Sequence, residues 1–407
     1  MRMASPRIAP SLAPKATMSP AASPAPQSRD LRLDFFRGLS LFFIFIDHIP
    51  ENALAYFTLR SVAFNDAAEV FIFISGYTAA LVYGRSLAVN GPLFATAQIY
   101  RRVWQLYVAH IFLFVIFTAE VSYAILVVQN PIYTEEMGVA DFLQEPHLAI
   151  IRALMLSFQP MYLDILPLYI VLLATFPLVL ILMSRQRMLP LLISLGVYVL
   201  TLRQGWAFHT RPSHEVWFFN PLAWQFLFVT GAAAGYARVT GKWPFPSAPW
   251  IGQAAIVLAA AIAIINFSWT LHWIWDPFPP LFAKQLWSYS LDKTNLAPLR
   301  LIGFLILAIA TMHVVRPESR FLQHRWARPV IICGQQSLYI FCLGILLSVL
   351  GHFLLAEFSG GVLMQIGVNL IGIGVMIAVA LLLNWFKTAS RRSPRPASAS
   401  VPSIPSE

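Results

Sequence analysis

The sequence has little charge, little cysteine and none of the short motifs that bind a phosphate group or a metal ion. Only 11% of its 407 residues are charged, whereas about a quarter of the residues of a soluble domain are charged. An ordinary soluble fold is therefore excluded. The two cysteines, Cys333 and Cys342, share one apolar segment, and a helix would hold them too far apart for a disulfide. Because glycine-rich phosphate loops and zinc-type Cys/His spacings are also missing, we predict no metal centre and no permanently bound cofactor.

Apolar residues dominate instead. Hydrophobic side chains make up 58% of the chain, and the mean hydropathy is +0.67. A helix needs about 20 residues to cross a bilayer core of about 30 Å. We therefore predict an all-α, polytopic integral membrane protein with about ten transmembrane helices. The predicted spans are residues 33–49, 68–84, 103–128, 165–184, 188–202, 216–237, 244–271, 298–314, 330–351 and 358–386.

The basic residues predict the orientation of these spans. Lys and Arg are retained on the cytoplasmic side of short loops, and here they fall mainly in alternate loops, which places both termini in the cytoplasm. The first large outer loop is acidic, with Glu135, Glu136, Asp141 and Glu145. The net charge of +10 is thus explained by topology and by attraction to anionic lipid, and it predicts no nucleic-acid partner.

The two ends of the chain differ from the middle. Residues 1–28 are rich in Pro, Ala and Ser and contain no hydrophobic block, so they predict a disordered cytoplasmic tail and not a signal peptide. Residues 389–407 have a similar composition and predict a second disordered cytoplasmic tail. Residues 29–388 form the predicted membrane domain, in a multi-pass arrangement surrounded by lipid.

The first span carries the most informative residues, Arg37 near one end and the pair Asp47 and His48 near the other. A charged side chain within the bilayer costs about 2.5 to 3.5 kcal/mol, so such residues indicate function. Imidazole titrates near neutral pH, so His48 is a candidate general base. Arg37 and His48 are 11 positions apart, or roughly 16 Å along a helix. This separation suits a donor that enters from the cytoplasm and an acceptor that approaches from outside. The alternative is that His48 only marks the helix end.

The second span begins with two carboxylates, Asp66 and Glu69, which lie three positions apart and share a helix face. Such a pair can orient an imidazolium or bind a sugar hydroxyl, although Asp66 can also simply cap the helix. Asp47 and His48 are adjacent and point about 100° apart, so His48 needs another partner. We expect that partner to be Asp66 or Glu69 on the neighbouring helix.

Two arginines, Arg101 and Arg102, begin the third span. Guanidinium groups suit phosphate oxygens, so this pair is a candidate binding site for an anionic donor that arrives from the cytoplasm. Topology alone also requires arginines at an inner loop, and both explanations stay open.

Three early segments carry a resemblance to a known superfamily. RLDFFRGLSLFFIFIDH, EVFIFISGY and YRRVWQLY resemble the opening of the acyltransferase-3 type of membrane acyltransferases. NPLAWQFLFVTG, DKTNLAPLRL and GQQSLYIFCLG resemble its OpgC-type branch, and the resemblance covers about residues 30–386. It implies acyl transfer from cytoplasmic acyl-CoA to a hydroxyl of an extracytoplasmic glycan. For the OpgC-type branch this means succinylation of periplasmic glucans at the inner membrane.

The resemblance also implies roles for individual residues. The family's histidine matches His48. Its RG arginine matches Arg37 and its second-helix serine matches Ser75, and these two residues are candidates for binding the acyl-CoA donor together with Arg101 and Arg102. Its basic pair matches Arg101 and Arg102, but these are adjacent, whereas the superfamily separates the two arginines by two residues. The resemblance therefore leaves open which of the two binds the donor.

The proposed chemistry is general-base acyl transfer by His48, with Asp47 or the Asp66/Glu69 pair stabilising the imidazolium. An acyl-enzyme at Ser75 is the less favoured route, because no base lies at nucleophile-elbow spacing. Polar residues of later spans are candidates for the glycan side: Trp224, Gln225, Asp292, Lys293 and Arg300. The aromatic segment 269–278 fits either a carbohydrate surface or an interfacial aromatic belt.

Ten membrane helices with charged residues at mid-depth are also compatible with a second class of function. A secondary transporter or flippase for an organic anion or a lipid-linked sugar would also carry such residues. The two halves of the chain contain no corresponding pair of Gly/Pro-broken spans, which is the usual sign of inverted repeats. The sequence therefore favours the enzyme.

Overall fold

The computed structural model describes residues 29–128, 137–210, 215–242, 248–274, 291–358 and 360–392. Over these residues the fold is all-α, with one isolated β-bridge between His209 and Val216. The helices are α1 (Leu31–Asp47), α2 (Ala67–Val128), α3 (Ala140–Gln144), α4 (Pro146–Leu154), α5 (Ile165–Arg185), α6 (Leu189–Gln204), α7 (Pro221–Thr240), α8 (Pro249–Ile274), α9 (Pro298–Val314), α10 (Ala327–Gln335), α11 (Ser337–Glu357) and α12 (Val362–Arg392). Several predicted features lie outside the described residues: the tail 1–28, residues 393–407, Glu135, Glu136 and positions 275–278 of the aromatic segment.

The predicted all-α class is confirmed, and each predicted span overlaps a helix. In the described part of the chain, five segments are long and apolar enough to cross a membrane. They are Ala67–Val127, Ile165–Arg185, Pro249–Leu271, Ser337–Glu357 and Val362–Ser390. The protein is therefore a membrane protein by length and composition, and the count of ten spans and the orientation of the termini remain predictions.

The second and third predicted spans belong to one long element, α2, which bends at Gly91. Gly91 has φ 81°, a left-handed conformation that glycine adopts without strain, and Pro92 then begins the next helical stretch, a position that suits proline. Tyr83 and Arg102 line the same cavity, although a straight helix would hold them roughly 28 Å apart. The Gly-Pro bend therefore folds the two halves of α2 back together.

The ninth predicted span, 330–351, is divided at Gln336 between α10 and α11. The division accompanies a close approach of α10 to α1. A Cβ added to Gly38 would overlap the carbonyl oxygen of Val330, and one added to Gly334 would overlap that of Asp34. Small residues of this kind let helix backbones touch in membranes.

The closest packing elsewhere joins α2 to α7. A Cβ on Gly76 would overlap the carbonyl oxygen of Phe228, and one on Gly235 would overlap that of Tyr77. The main buried cluster surrounds this contact, whereas only 11% of the apolar window of α8 is buried inside the protein. Such an exposed apolar helix is expected where the neighbour is lipid.

Candidate functional site

Two cavities lie along the same group of helices. The arginine cavity has a volume of about 150 Å³, and the histidine cavity has a volume of about 40 Å³. The arginine cavity is lined by Arg37, Phe71, Ser75, Thr78, Ala79, Val82, Tyr83, Arg102, Leu106, Leu166, Tyr169, Ser337, Leu338 and Phe341. The histidine cavity is lined by Ile44, Asp47, His48, Asp66, Ala67, Ala68, Asp164, Ile165, Phe219, Lys293 and Phe341.

The order of these residues along the chain shows that the cavities are stacked. Helix α1 contributes Arg37 to the arginine cavity and, near its end, Ile44 and Asp47 to the histidine cavity. Helices α2 and α5 run the other way. The first residues of each helix line the histidine cavity, and later residues line the arginine cavity. Arg37 and His48, which both belong to the first predicted span, therefore line cavities at two different levels of the helix bundle.

The arginine cavity gathers three of the four predicted donor-binding residues. Arg37 donates from Nη2 to the carbonyl oxygen of Ile74 at 3.2 Å and to Thr78 Oγ1 at 2.8 Å. Ser75, one turn before Thr78, is buried in the same wall. Arg102 is half-buried and lines the cavity, whereas Arg101 is exposed and does not. The adjacent arginines therefore face different surroundings.

The start of α11 adds to the positive character of the arginine cavity. Ser337 and Leu338, the first two residues of this helix, line the cavity, and the N-cap residue Gln336 provides no side-chain cap. Uncapped N–H groups and the helix dipole favour an anion at a helix N-terminus. With two arginines and no acidic side chain among its described lining residues, this cavity is suited to phosphate groups. The sequence GQQSLY, at residues 334–339, does not by itself predict this role.

The histidine cavity is arranged around His48, which directly follows the last residue of α1. Its ring packs edge-on against Tyr162, with 4.5 Å between the ring centroids. Nδ1 is buried and has no hydrogen-bond partner among the described residues. Since a neutral imidazole carries one acceptor nitrogen, His48 can take part in a hydrogen bond with a bound hydroxyl.

Three aspartates line this cavity with His48: Asp47, Asp66 and Asp164. Asp47 accepts a hydrogen bond from Thr58 Oγ1 at 2.8 Å. Asp164 lies just before α5, where burial raises its pKa to about 6, although the positive charge of Lys293 opposes part of that rise. Asp164 was not predicted, because its only signal in the sequence is that a single carboxylate stands directly before an apolar run.

Asp66 and Glu69 combine helix capping with ion pairing. The backbone N–H of Asp66 donates to Glu69 Oε2 at 2.9 Å, and that of Ala68 donates to Asp66 Oδ1 at 2.8 Å, which is the pattern of a capping box. Arg300 donates to Asp66 Oδ2 at 2.9 Å and through Nε to Glu69 Oε1. Lys293 Nζ lies 2.7 Å from Asp66 Oδ2.

These ion pairs change the expected role of the two carboxylates. Their side-chain partners are Arg300 and Lys293, not His48 as the sequence analysis expected. Burial alone would raise the pKa of Asp66, but Lys293 and Arg300 outweigh burial and hold that pKa well below its usual range. Asp66 therefore stays ionised in the wall of the histidine cavity, and Glu69 lies behind it, fully buried.

A family model described as OpgC protein matches residues 29–388. The chain belongs to the OpgC protein family. Comparisons with curated proteins and with solved structures find no match. The family match suggests a membrane-associated, glucan-modifying acyltransferase, which agrees with the apolar helices and confirms the OpgC part of the resemblance.

In this OpgC family member, Lys293 reaches the histidine cavity from a folded loop. Asp292 accepts hydrogen bonds from the backbone N–H groups of Thr294 at 2.9 Å and Asn295 at 3.2 Å. Trp224, fully buried, donates from Nε1 to the carbonyl oxygens of Lys293 at 3.0 Å and Thr294 at 3.2 Å. Lys293 thus lines the histidine cavity, whereas Asp292 and Trp224 hold its loop, and the binding of the glycan by Lys293 stays a prediction.

Gln225 lies at a different place in the protein. Its Nε2 donates to the carbonyl oxygen of Ser194 on α6 at 2.8 Å. It lines a separate, mainly apolar cavity of about 300 Å³ between α5, α6 and α7. The structure therefore does not bring Gln225 into the histidine cavity.

Proposed function

We propose that this OpgC family member is an inner-membrane O-acyltransferase, of the acyltransferase-3 type, that moves a succinyl group from cytoplasmic acyl-CoA to a hydroxyl of a periplasmic glucan. The observation that supports this best is the stacking of an arginine-lined cavity on a histidine-lined cavity along the same helices. A donor with phosphates and an acceptor with hydroxyls require such different surroundings.

The arginine cavity suits the donor. Arg37, Arg102 and the N-terminus of α11 offer N–H donors and positive charge to phosphate oxygens. The distribution of Lys and Arg between loops predicts that this side faces the cytoplasm, where acyl-CoA is found. The thioester end of the donor would then extend from this cavity toward His48.

The histidine cavity suits the acceptor and the chemistry. His48 removes the proton from the glucan hydroxyl while the hydroxyl oxygen attacks the thioester carbonyl. A C–O bond forms and the C–S bond breaks, and the leaving thiolate takes the proton from the imidazolium, so that the products are the ester and free CoA. Asp66 lines the same cavity, and its negative charge favours the imidazolium during this step, whereas the charge of Lys293 opposes it.

Direct transfer fits the structure better than an acyl-enzyme. Ser75 lies in the arginine cavity and His48 in the histidine cavity. A nucleophilic serine needs a base within hydrogen-bond reach. Ser75 therefore serves the donor pocket in this proposal, and the glucan hydroxyl is the nucleophile.

The test is transfer of label by the purified protein in detergent or proteoliposomes. With radiolabelled succinyl-CoA and a glucan acceptor, we expect labelled glucan from wild type and a loss of about 10²- to 10⁴-fold in His48→Ala, the range for removal of a general base. His147→Ala is the matched control, because His147 is exposed on α4.

Two results would count against the proposal. One is an unchanged transfer rate in His48→Ala. The other is uptake of label into proteoliposomes without any labelled glucan, which is the behaviour of a transporter.

A further inference from the structure

A single aromatic residue separates the two cavities. Of the described residues, only Phe341 lines both the arginine cavity and the histidine cavity. Its side chain is 2% exposed, and it lies one turn into α11 after Ser337. Phe341 is therefore a boundary between the proposed donor and acceptor sides.

Other aromatic rings extend this boundary. Phe71 packs against Phe341 with 6.1 Å between the ring centroids. Tyr169 packs edge-on against Phe71 at 6.4 Å, and both line the arginine cavity. Packed rings at such separations attract one another, so Phe341, Phe71 and Tyr169 form an aromatic layer in which Phe341 is the member that borders both cavities.

The histidine cavity, on the other side of Phe341, is small. The histidine cavity holds about 40 Å³, whereas a single water needs roughly 10 to 15 Å³ of such volume. Only a few non-hydrogen atoms fit beside His48 unless a side chain moves. A thioester carbonyl that reaches His48 from the arginine cavity must displace or pass the ring of Phe341.

We propose that Phe341 is the residue that determines which acyl groups reach His48. This inference rests on the proposed acyl transfer and adds a size filter to it. The ring turns aside for a short acyl chain and obstructs a longer one, because a longer chain needs space that the closed aromatic layer does not provide. Phe341 takes no part in proton transfer, so its effect is on donor choice.

The experiment compares acetyl-CoA with hexanoyl-CoA, two donors with uncharged acyl groups of different length, with the same glucan acceptor. In Phe341→Ala we expect kcat/KM for hexanoyl-CoA relative to acetyl-CoA to rise by about tenfold or more, since each added methylene in a pocket changes discrimination by about this factor. Phe341→Leu, a milder change, shifts the ratio in the same direction. In Phe341→Trp, transfer from both donors falls, because the larger ring fills more of the boundary.

Phe228→Ala is the matched control. Phe228 is 1% exposed and packs against Tyr169 in the same group of rings, but it lines neither of the two cavities. We expect this variant to be less stable and to keep the wild-type donor ratio. A ratio that stays unchanged in Phe341→Ala and Phe341→Leu overturns the inference alone. So does transfer by wild type from succinyl-CoA but not from acetyl-CoA, because a size filter that passes the succinyl group must also pass the shorter acetyl group. Absence of transfer by wild type from any donor overturns the proposed function and this inference with it.

Discussion

The arginine cavity and the histidine cavity use the same helices but differ in charge. The arginine cavity contains two guanidinium groups and a helix N-terminus. The histidine cavity contains His48, Lys293 and three aspartates, Asp47, Asp66 and Asp164. The comparison shows how one bundle can present phosphate-binding and hydroxyl-binding surfaces at two levels, because residues far apart on one helix meet different neighbours.

The two cavities also differ in the contacts that their charged residues make. In the histidine cavity, Asp66 of the wall forms an ion-pair network with Arg300, which also pairs with Glu69, and both Glu69 and Arg300 are buried. Arg102 of the arginine cavity, in contrast, is half-buried and donates to the side chain of Gln105 at 3.2 Å. Substitutions on the histidine side should therefore affect stability, and substitutions on the arginine side should affect donor binding.

The largest expected effect comes from Arg300→Met. This variant leaves Glu69, which is fully buried, and Asp66 without their guanidinium partner. Removing one member of a buried ion pair costs about 3 to 5 kcal/mol. We expect the free energy of unfolding to fall by this amount, measured by thermal or denaturant unfolding in detergent.

Two further variants make the Arg300 result specific. Arg203→Met changes an exposed arginine and should alter stability by no more than about 0.5 kcal/mol. Glu69→Gln combined with Arg300→Met removes the buried charge and should recover part of the loss. Equal stability of Arg300→Met and Arg203→Met would show that the network does not support the histidine cavity.

The next effect concerns the two adjacent arginines. Arg102→Met removes a cation from the arginine cavity, so we expect the dissociation constant for acyl-CoA to rise by about tenfold, as for the loss of one hydrogen bond to a charged group. Arg101→Met is the matched control, because Arg101 is exposed and outside the cavity. Equilibrium binding of labelled acyl-CoA distinguishes them, and a larger effect at Arg101 would reverse the assignment.

The sequence was sufficient for the fold class and for the main members of the histidine cavity. Apolar length and composition alone predict membrane helices, so the all-α class followed directly. Asp47, His48, Asp66 and Lys293 were predicted and share one cavity. Costly polar residues in apolar helices are informative because folding tolerates them only where they have a use.

The sequence was insufficient where the outcome depends on rotation or on loop contacts. Arg101 and Arg102 differ by about 100° around the helix axis, and hydropathy does not decide which one faces inward. Trp224 and Asp292 resembled binding residues, but their polar atoms bond to the backbone of the loop around Lys293. The break at Gln336 was missed because residues 330–351 contain no charged side chain, although the polar stretch of Gln335, Gln336 and Ser337 marks the point where the helix is divided.

The smallest predicted effect concerns the loop that positions Lys293. Trp224→Phe keeps an aromatic ring in the core but removes the Nε1 donor, which bonds to the carbonyl oxygens of Lys293 and Thr294 at 3.0 and 3.2 Å. Loss of one such hydrogen bond costs about 1 kcal/mol, which we expect as a lower free energy of unfolding. Trp250→Phe, at an exposed tryptophan, is the control. Because Lys293 lines the histidine cavity and not the arginine cavity, Trp224→Phe should lower glucan acylation slightly and leave the dissociation constant for acyl-CoA unchanged. A weaker donor affinity in this variant would mean that the two cavities are coupled and do not act as separate donor and acceptor sites.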